Sequence, residues 1–385
     1  MGYGAAETRS PAAPERRLLL HKCEPVDLPF LLLILTLLGA GLLMMLSASF
    51  ARANYETGNP VYFTVRQCLF AALGLGAMVL LSRLPTELWR SLTLPVYVLS
   101  LLLLVLVLVA GEQIGGARRW FRIFGIQFQP SELAKFAVIC VLAKKTADYG
   151  SRMEHFSWGL LRMGLYLAPV FLLILAEKHL SAIVILGLVS FAMLYVGGTK
   201  PRYLLTILAL GVVLVLVYIS LMGYAGDRIT AWRHPEQDAN DKGYQVLQSQ
   251  YAIGSGGLFG PGYGRGRQKY LYLPEEHNDY IFAIVCEELG FVGAGGIILL
   301  FILLIVRGYW IAMHAATPFS TMLGVGLMTL MAVQTFLNLG VVSNLLPSTG
   351  VSLPFFSYGG TALMMQLGEM GIVLGISRFC SGTRH

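Results

Sequence analysis

The sequence predicts an all-α integral membrane protein of about ten transmembrane helices, with a large extracytoplasmic loop between spans seven and eight. Three observations predict it. The 385 residues are 56% hydrophobic and only 13% charged, with a mean hydropathy of +0.67, about half the charge of a soluble domain. Apolar runs of the length that a ~30 Å hydrocarbon core demands recur along the whole chain. The short segments between them carry Lys and Arg on alternate sides, the bias that sets membrane orientation. No intervening stretch is long enough for a soluble core of its own. The organisation is therefore a tail (1–27), one membrane domain (28–378) and a second tail (379–385).

In chain order, the first tail is polar and holds Arg9, Arg16, Arg17 and Lys22. The run after it is too long for a cleaved signal peptide, so the tail reads as cytoplasmic. Spans follow near 28–49, 65–82, 94–111, 130–144, 159–176, 181–197, 203–222, 280–306, 319–340 and 360–377. With the N-terminus inside, the inner segments carry Arg83 and Arg90, then Lys144, Lys145, Arg152 and Arg162, then Lys200 and Arg202, Arg307, and finally Arg378 and Arg384. An even span count returns the C-terminus to the cytoplasm.

Two outer loops depart from this pattern. The short one, 112–129, contains Arg118, Arg119 and Arg122. The long one, 223–279, contains Arg228, Arg233, Lys242, Arg265, Arg267 and Lys269. A long loop crosses regardless of charge. Three arginines in a short one are either solvated loop charge or a basic floor for an anionic ligand, since guanidinium binds phosphate in two-pronged fashion. The net charge of +7 does not point to nucleic acid, because the basic residues are dispersed in short loops. Five scattered cysteines, an odd number with no CxxC spacing, argue against a disulfide framework or zinc site. No repeat period and no similarity between halves is visible, which speaks against solenoids and inverted-repeat transporters.

The largest concentration of polar and glycine residues lies at 243–290. Asp279 stands where the outer loop becomes span eight. It reads as a helix N-cap or, with Glu275, Glu276 and His277 crowding it and raising its proton affinity, as a general base. His277 is a proton relay or a structural hydrogen-bonder. The Gly-rich stretch 254–266 lacks the Gly-Lys-Ser/Thr of a P-loop. As a flexible loop ending in Arg265, Arg267 and Lys269 it could close over an anionic substrate.

Glu132, Glu287, Glu288 and Glu369 fall inside predicted spans, where an ionisable group is costly and usually functional or paired. Glu132 and Lys135, opening span four after Pro130, share a helix face. They form a structural clamp or part of a site. Glu287 and Glu288 lie about 12 Å below Asp279; Glu288 reads as packing-paired and Glu287 as nearer the cleft. The last outer loop, 344–361, with two prolines, glycines and hydroxyls, is re-entrant backbone lining a cavity or an interfacial aromatic turn.

Several stretches carry a family resemblance. They are Ala117-Arg118-Arg119-Trp120, Gln129-Pro130-Ser131-Glu132-Leu133-Ala134-Lys135, Gly243-Tyr244-Gln245 with Gln248-Ser249, and Leu273-Pro274-Glu275. Asp279-Tyr280-Ile281-Phe282-Ala283, Glu287-Glu288-Leu289-Gly290 and Leu353-Pro354-Phe355-Phe356-Ser357-Tyr358-Gly359-Gly360 complete them. In order and spacing, from about 28 to 378, the chain resembles the SEDS family (shape, elongation, division and sporulation), polytopic enzymes that polymerise peptidoglycan. Gln268-Lys269, Tyr272 to Glu275, Tyr62-Phe63 and Arg66-Gln67 look more like the FtsW and SpoVE branch than RodA. There are departures: Asn278 and Tyr280 flank the aspartate where Thr and Phe are common, Lys178-His179-Leu180-Ser181 replaces a frequent Pro-Asp-Leu-Gly, and Thr361 replaces a serine.

The resemblance implies a peptidoglycan glycosyltransferase using lipid II at the outer leaflet of the bacterial cytoplasmic membrane. Asp279 corresponds to the family's catalytic aspartate, and Glu132 and Lys135 to its membrane pair. Substrate contacts are expected from Arg118, Arg119, Trp120, Glu132, Lys135, Gln248, Arg265, Lys269, His277, Glu287 and Ser357. Arg118, Arg119, Arg265 and Lys269 would meet charge on a departing polyprenyl pyrophosphate, with a divalent cation (Mg or Mn) as the one candidate cofactor. The implied partners are a class B penicillin-binding protein and other division or sporulation membrane proteins, with no nucleic acid. A lipid II flippase and a scaffold that only recruits a transpeptidase are the competing classes.

Overall fold

Helix N-termini are written into the sequence, and the chain folds on them. Asp27 caps the first helix, its Oδ1 accepting the Phe30 N–H at 3.0 Å. Thr317 caps another through the Ser320 N–H at 3.2 Å, and Pro130 opens a third, as prolines in a first turn do. The computed structural model describes residues 26–114, 117–123, 125–222, 232–238 and 242–378. Expectations on Arg9, Arg16, Arg17, Lys22, Arg228 and Arg384 lie outside the described residues.

In order, the chain forms α1 (Leu28–Thr57), α2 (Tyr62–Leu81), α3 (Thr86–Ala110), β1 (Glu112–Ile114), β2 (Ala117–Ile123), β3 (Ile126–Phe128), α4 (Pro130–Tyr149), α5 (Met163–Ala176), α6 (Leu180–Val196), α7 (Pro201–Met222), α8 (Lys242–Ser255), α9 (Ile281–Met313), α10 (Pro318–Val342) and α11 (Gly360–Arg378). A π-helical turn, Phe156–Arg162, leads into α5. Each predicted interval holds a helix. Among the described residues seven helical segments are long and apolar enough to cross a membrane. α6 is shorter, at 17 residues, and α4 carries Glu132, Lys135, Lys144, Lys145 and Asp148.

The core sits on α4, α10 and α11. In their apolar windows α10 and α11 bury 78% and 72% of residues, against 28% in α3 and 22% in the segment ending in α5. The former pack against protein and the latter form the exposed apolar wall of the bundle. At the end holding the α9–α10 connection, Arg307 grips Asp27 at 3.1 and 2.6 Å.

Two expectations change here. The short outer loop 112–129 adds strands to an otherwise helical chain: β1, β2 and β3 form an antiparallel sheet in that order, with Phe121 opposite Phe128 and Ile123 opposite Ile126. β-Branched and aromatic residues on short paired strands explain it. The Gly-rich stretch is not a free lid. Its backbone lies in a kink of α9, where Gly290 adopts φ +65°. The Phe291 N–H donates to the Gly257 carbonyl at 2.9 Å and the Gly262 N–H to the Glu288 carbonyl at 3.1 Å.

Candidate active site

The loops at the opposite end of the bundle surround a cavity of about 940 Å³, the size of a small-molecule pocket. Every segment assigned to the outer side in sequence contributes to this one end: the α1–α2 turn, the sheet, the α5–α6 turn, the residues before α9 and the 344–359 loop.

Asp279 lines the cavity. It is not the helix cap: α9 begins at Ile281, with Tyr280 at the capping position and no side-chain cap. Backbone contacts fix its place. Asn338 Nδ2 of α10 donates to the Asp279 carbonyl at 2.8 Å and to the Val351 carbonyl at 2.7 Å. Ser357 Oγ donates to the Asn278 carbonyl at 2.7 Å, and the Tyr358 N–H to that of His277 at 2.9 Å. Gly350 has φ +68°, and a Cβ there would stand 3.3 Å from Asp279 Oδ2. Glycine keeps both the turn and the space beside the carboxylate.

Glu276 is fully buried and receives Arg52 Nε at 2.8 Å and Nη2 at 2.9 Å. Burial raises its proton affinity against the pull of Arg52. This two-pronged pair ties the segment before α9 to α1. His277 lines the cavity and stacks on Phe63 with ring centroids 4.9 Å apart. Its Nδ1 is enclosed without a hydrogen-bond partner, and burial lowers its pKa to about 4. The ring is therefore neutral at pH 7 and is held by stacking.

On the facing side, Lys135 Nζ meets Glu132 Oε2 at 2.8 Å. His179 Nδ1 lies 3.4 Å from both Gln129 Nε2 and Ser131 Oγ. Arg119 donates from Nε to the Glu177 carbonyl at 3.1 Å and from Nη2 to the Lys178 carbonyl. The Glu177 carboxylate is enclosed with neither oxygen hydrogen-bonded. Burial raises its pKa to about 8 despite Arg119.

The twelve residues expected at the site divide evenly. Asp279, Arg119, Trp120, Glu132, Lys135 and His277 line the cavity. The other six do not, and each has a physical reason. Arg118 donates to the Leu108 and Val109 carbonyls at the end of α3, where a cation meets the negative helix terminus. Lys269 is buried, 2.7 Å from Glu288 Oε1 and 2.9 Å from Ser47 Oγ. Glu287 accepts the Arg267 N–H at 2.7 Å and the Gln268 N–H at 3.2 Å. Arg265 is exposed on the Gly-rich stretch. Gln248 lies on α8, and Ser357 is the buried strut behind Asn278. The expectation that Glu288 is packing-paired matches its contacts; that Glu287 faces the cleft does not.

Arg66 was not among the expected site residues. It lines the cavity from α2, donating to Tyr62 Oη at 2.9 Å and the Gly125 carbonyl at 2.7 Å. No carboxylate pairs with it among the described residues. Its only sequence signal was the Arg66-Gln67 dipeptide. Among the described residues no three His, Cys, Asp or Glu side chains converge as ligands for a divalent cation.

Comparison with known proteins decides the lineage. The family FTSW_RODA_SPOVE, cell cycle protein, matches residues 28–382. The chain belongs to the FtsW/RodA/SpoVE family. Its relatives include a probable peptidoglycan glycosyltransferase FtsW of Geobacter sulfurreducens, 38% identical over 94% of this chain and 98% of the relative. Stage V sporulation protein E of Bacillus subtilis is 36% identical over 92% and 97%. Among solved structures, a chain from work on the structural coordination of polymerization and crosslinking by a peptidoglycan synthase complex has a TM-score of 0.77. It is 30% identical over 92% of this chain and 98% of that one. The rod shape determining protein RodA of Thermus thermophilus has a TM-score of 0.69 at 29% identity, over 93% and 98%. The family match thus spans every helix from α1 to α11, the cavity included.

Proposed function

We propose that this FtsW/RodA/SpoVE-family protein is a peptidoglycan glycosyltransferase that polymerises lipid II at the outer leaflet. The observation that carries the reading is one cavity holding the Asp279 carboxylate together with the guanidinium groups of Arg66 and Arg119. A base and cations are the two requirements of glycosyl transfer from a diphosphate donor. Relatives named as peptidoglycan glycosyltransferases supply the substrate class.

In this mechanism the growing strand is the donor and lipid II the acceptor. Asp279 takes the proton of the acceptor's GlcNAc 4-hydroxyl. That oxygen bonds to the donor's anomeric carbon as the bond to diphosphate breaks, inverting the centre. Arg66 and Arg119 meet the charge gathering on polyprenyl pyrophosphate. They replace Arg118, Arg265 and Lys269 in that role. The Glu132–Lys135 pair and Trp120 hold the sugar end, and His277, stacked on Phe63, walls the cavity. Gathering of the loops read as outer at one end supports a site facing out and both termini facing in. A class B penicillin-binding protein is the proposed partner, in keeping with the synthase complex among the relatives.

The test is glycan-ladder formation from fluorescent lipid II by purified protein with its class B partner. Arg66→Ala should lower kcat/KM by about a hundredfold, while Arg265→Ala stays near wild type. Equal losses would remove Arg66 from the site. Lipid II crossing vesicles without any polymer would favour a flippase.

A further inference from the structure

The end of the bundle remote from the cavity gathers cations of its own. α4 runs about 30 Å from the cavity to this end, where the 3₁₀ turn Gly150–Glu154 and the π-helical turn Phe156–Arg162 join it to α5. Arg162 lies 3.4 Å and Arg152 5.2 Å from the Trp158 ring. Trp158 meets Tyr149 edge-on at 4.9 Å. Lys145 lies 5.0 Å from the Tyr166 ring and 6.0 Å from that of Tyr149. Lys145, Arg152 and Arg162 thus share one aromatic cluster, and among the described residues none has a carboxylate partner within ion-pair distance. Nearby, Glu154 faces only Lys200, at 3.8 Å, and Asp148 is held by Arg90 at 2.6 Å.

Orientation bias alone requires basic residues at this end; it does not require three of them on one ring cluster with no carboxylate in ion-pair contact among the described residues. Apolar surface continues from the same place. Leu161 and Leu165, 57% and 68% exposed, stand beside Arg162 on the wall that faces lipid. Cations and aromatic rings at headgroup level, with leucines beneath, match a molecule that has an anionic head and acyl chains. Seven residues of π-helix are rare, and such turns concentrate at functional positions.

We propose that Lys145, Arg152 and Arg162 with Trp158 form a binding site for an anionic phospholipid of the leaflet at this end. That leaflet is cytoplasmic under the orientation proposed above, but the site does not depend on the proposed activity. An acidic protein segment is the other class of ligand; the leucines under the cations favour lipid.

The experiment uses the full chain in phosphatidylcholine vesicles containing a minor fraction of brominated phosphatidylglycerol or brominated phosphatidylcholine, with tryptophan quenching as readout. Phosphatidylglycerol should quench selectively, and Trp158→Phe should remove that selective part. Each of Arg152→Gln and Arg162→Gln should weaken the apparent association about fivefold, with thermal unfolding confirming a folded chain. Free glycerol phosphate should not compete, because it lacks the chains. Equal quenching by the two lipids in the wild type would overturn the proposal without reference to any variant. Displacement by glycerol phosphate would reassign the cluster to a soluble anion, and displacement by polyglutamate to an acidic protein segment.

Discussion

Glu276 and Asp279 are acids three residues apart with opposite tasks, because their surroundings differ. Glu276 is sealed against Arg52 and holds the segment; Asp279 lines the cavity. Two other ionisable groups at this end give the molecule a pH response. The His277 pKa is depressed to about 4. The unfolded chain therefore binds the extra proton first, and stability falls as pH drops from about 6.5 towards 4, by about 3 kcal/mol in all. His277→Gln should flatten that limb in thermal unfolding curves. Glu177, raised to about 8, works the other way: stability is full below about 4.5 and is lost as pH rises towards 8. Glu177→Gln should raise Tm at pH 8 and leave it unchanged at pH 4. Asp279, Arg119, Trp120, Glu132, Lys135 and His277 were legible as cavity residues because motif and membrane cost marked them. Arg66 was not, since its meaning depends on the Gly125 turn of a sheet that hydropathy does not reveal.

At the level of elements, the adjacent acids Glu287 and Glu288 are fasteners. Glu288 accepts the Gly264 N–H at 2.9 Å and the Lys269 ammonium at 2.7 Å, and Glu287 accepts the Arg267 N–H at 2.7 Å. Together they hold the Gly-rich stretch in the α9 kink. A Cβ on Gly290 would come within 2.4 Å of the Gly260 nitrogen, and φ there is +65°. Gly290→Ala should therefore cost at least about 2 kcal/mol and raise protease cleavage within 256–268. Lys269→Ala strands Glu288 as a buried charge and should cost about 3 kcal/mol, with kcat/KM per folded molecule unchanged. A raised KM at unchanged Tm would return Lys269 to the substrate. Helix positions could be read from hydropathy, because bilayer thickness fixes run length. The docking of this stretch could not, because glycine marks freedom in sequence but can mark close contact in the fold.

At the scale of the whole molecule, one end holds a polar site and the other an exposed basic rim, and the few acids within the helices between them, such as Glu287, Glu288 and Glu369, are buried. This division follows from the bilayer, which excludes unpaired charge from its centre. It leaves chemistry at the ends, here on loops set by a rigid bundle. Which segments share one end of the bundle was readable from run lengths and the placement of Lys and Arg. The three-dimensional meeting of residues 66, 119, 135 and 279 in one cavity needed the fold. In the proposed reaction the Asp279 carboxylate removes the acceptor's proton. The most direct measurement of that step is the rate of lipid II polymerisation by purified Asp279→Asn with the class B partner, alongside a thermal unfolding curve. The rate should fall at least about a hundredfold with Tm unchanged; polymerisation at the wild-type rate by a folded Asp279→Asn protein would rule out Asp279 as the base.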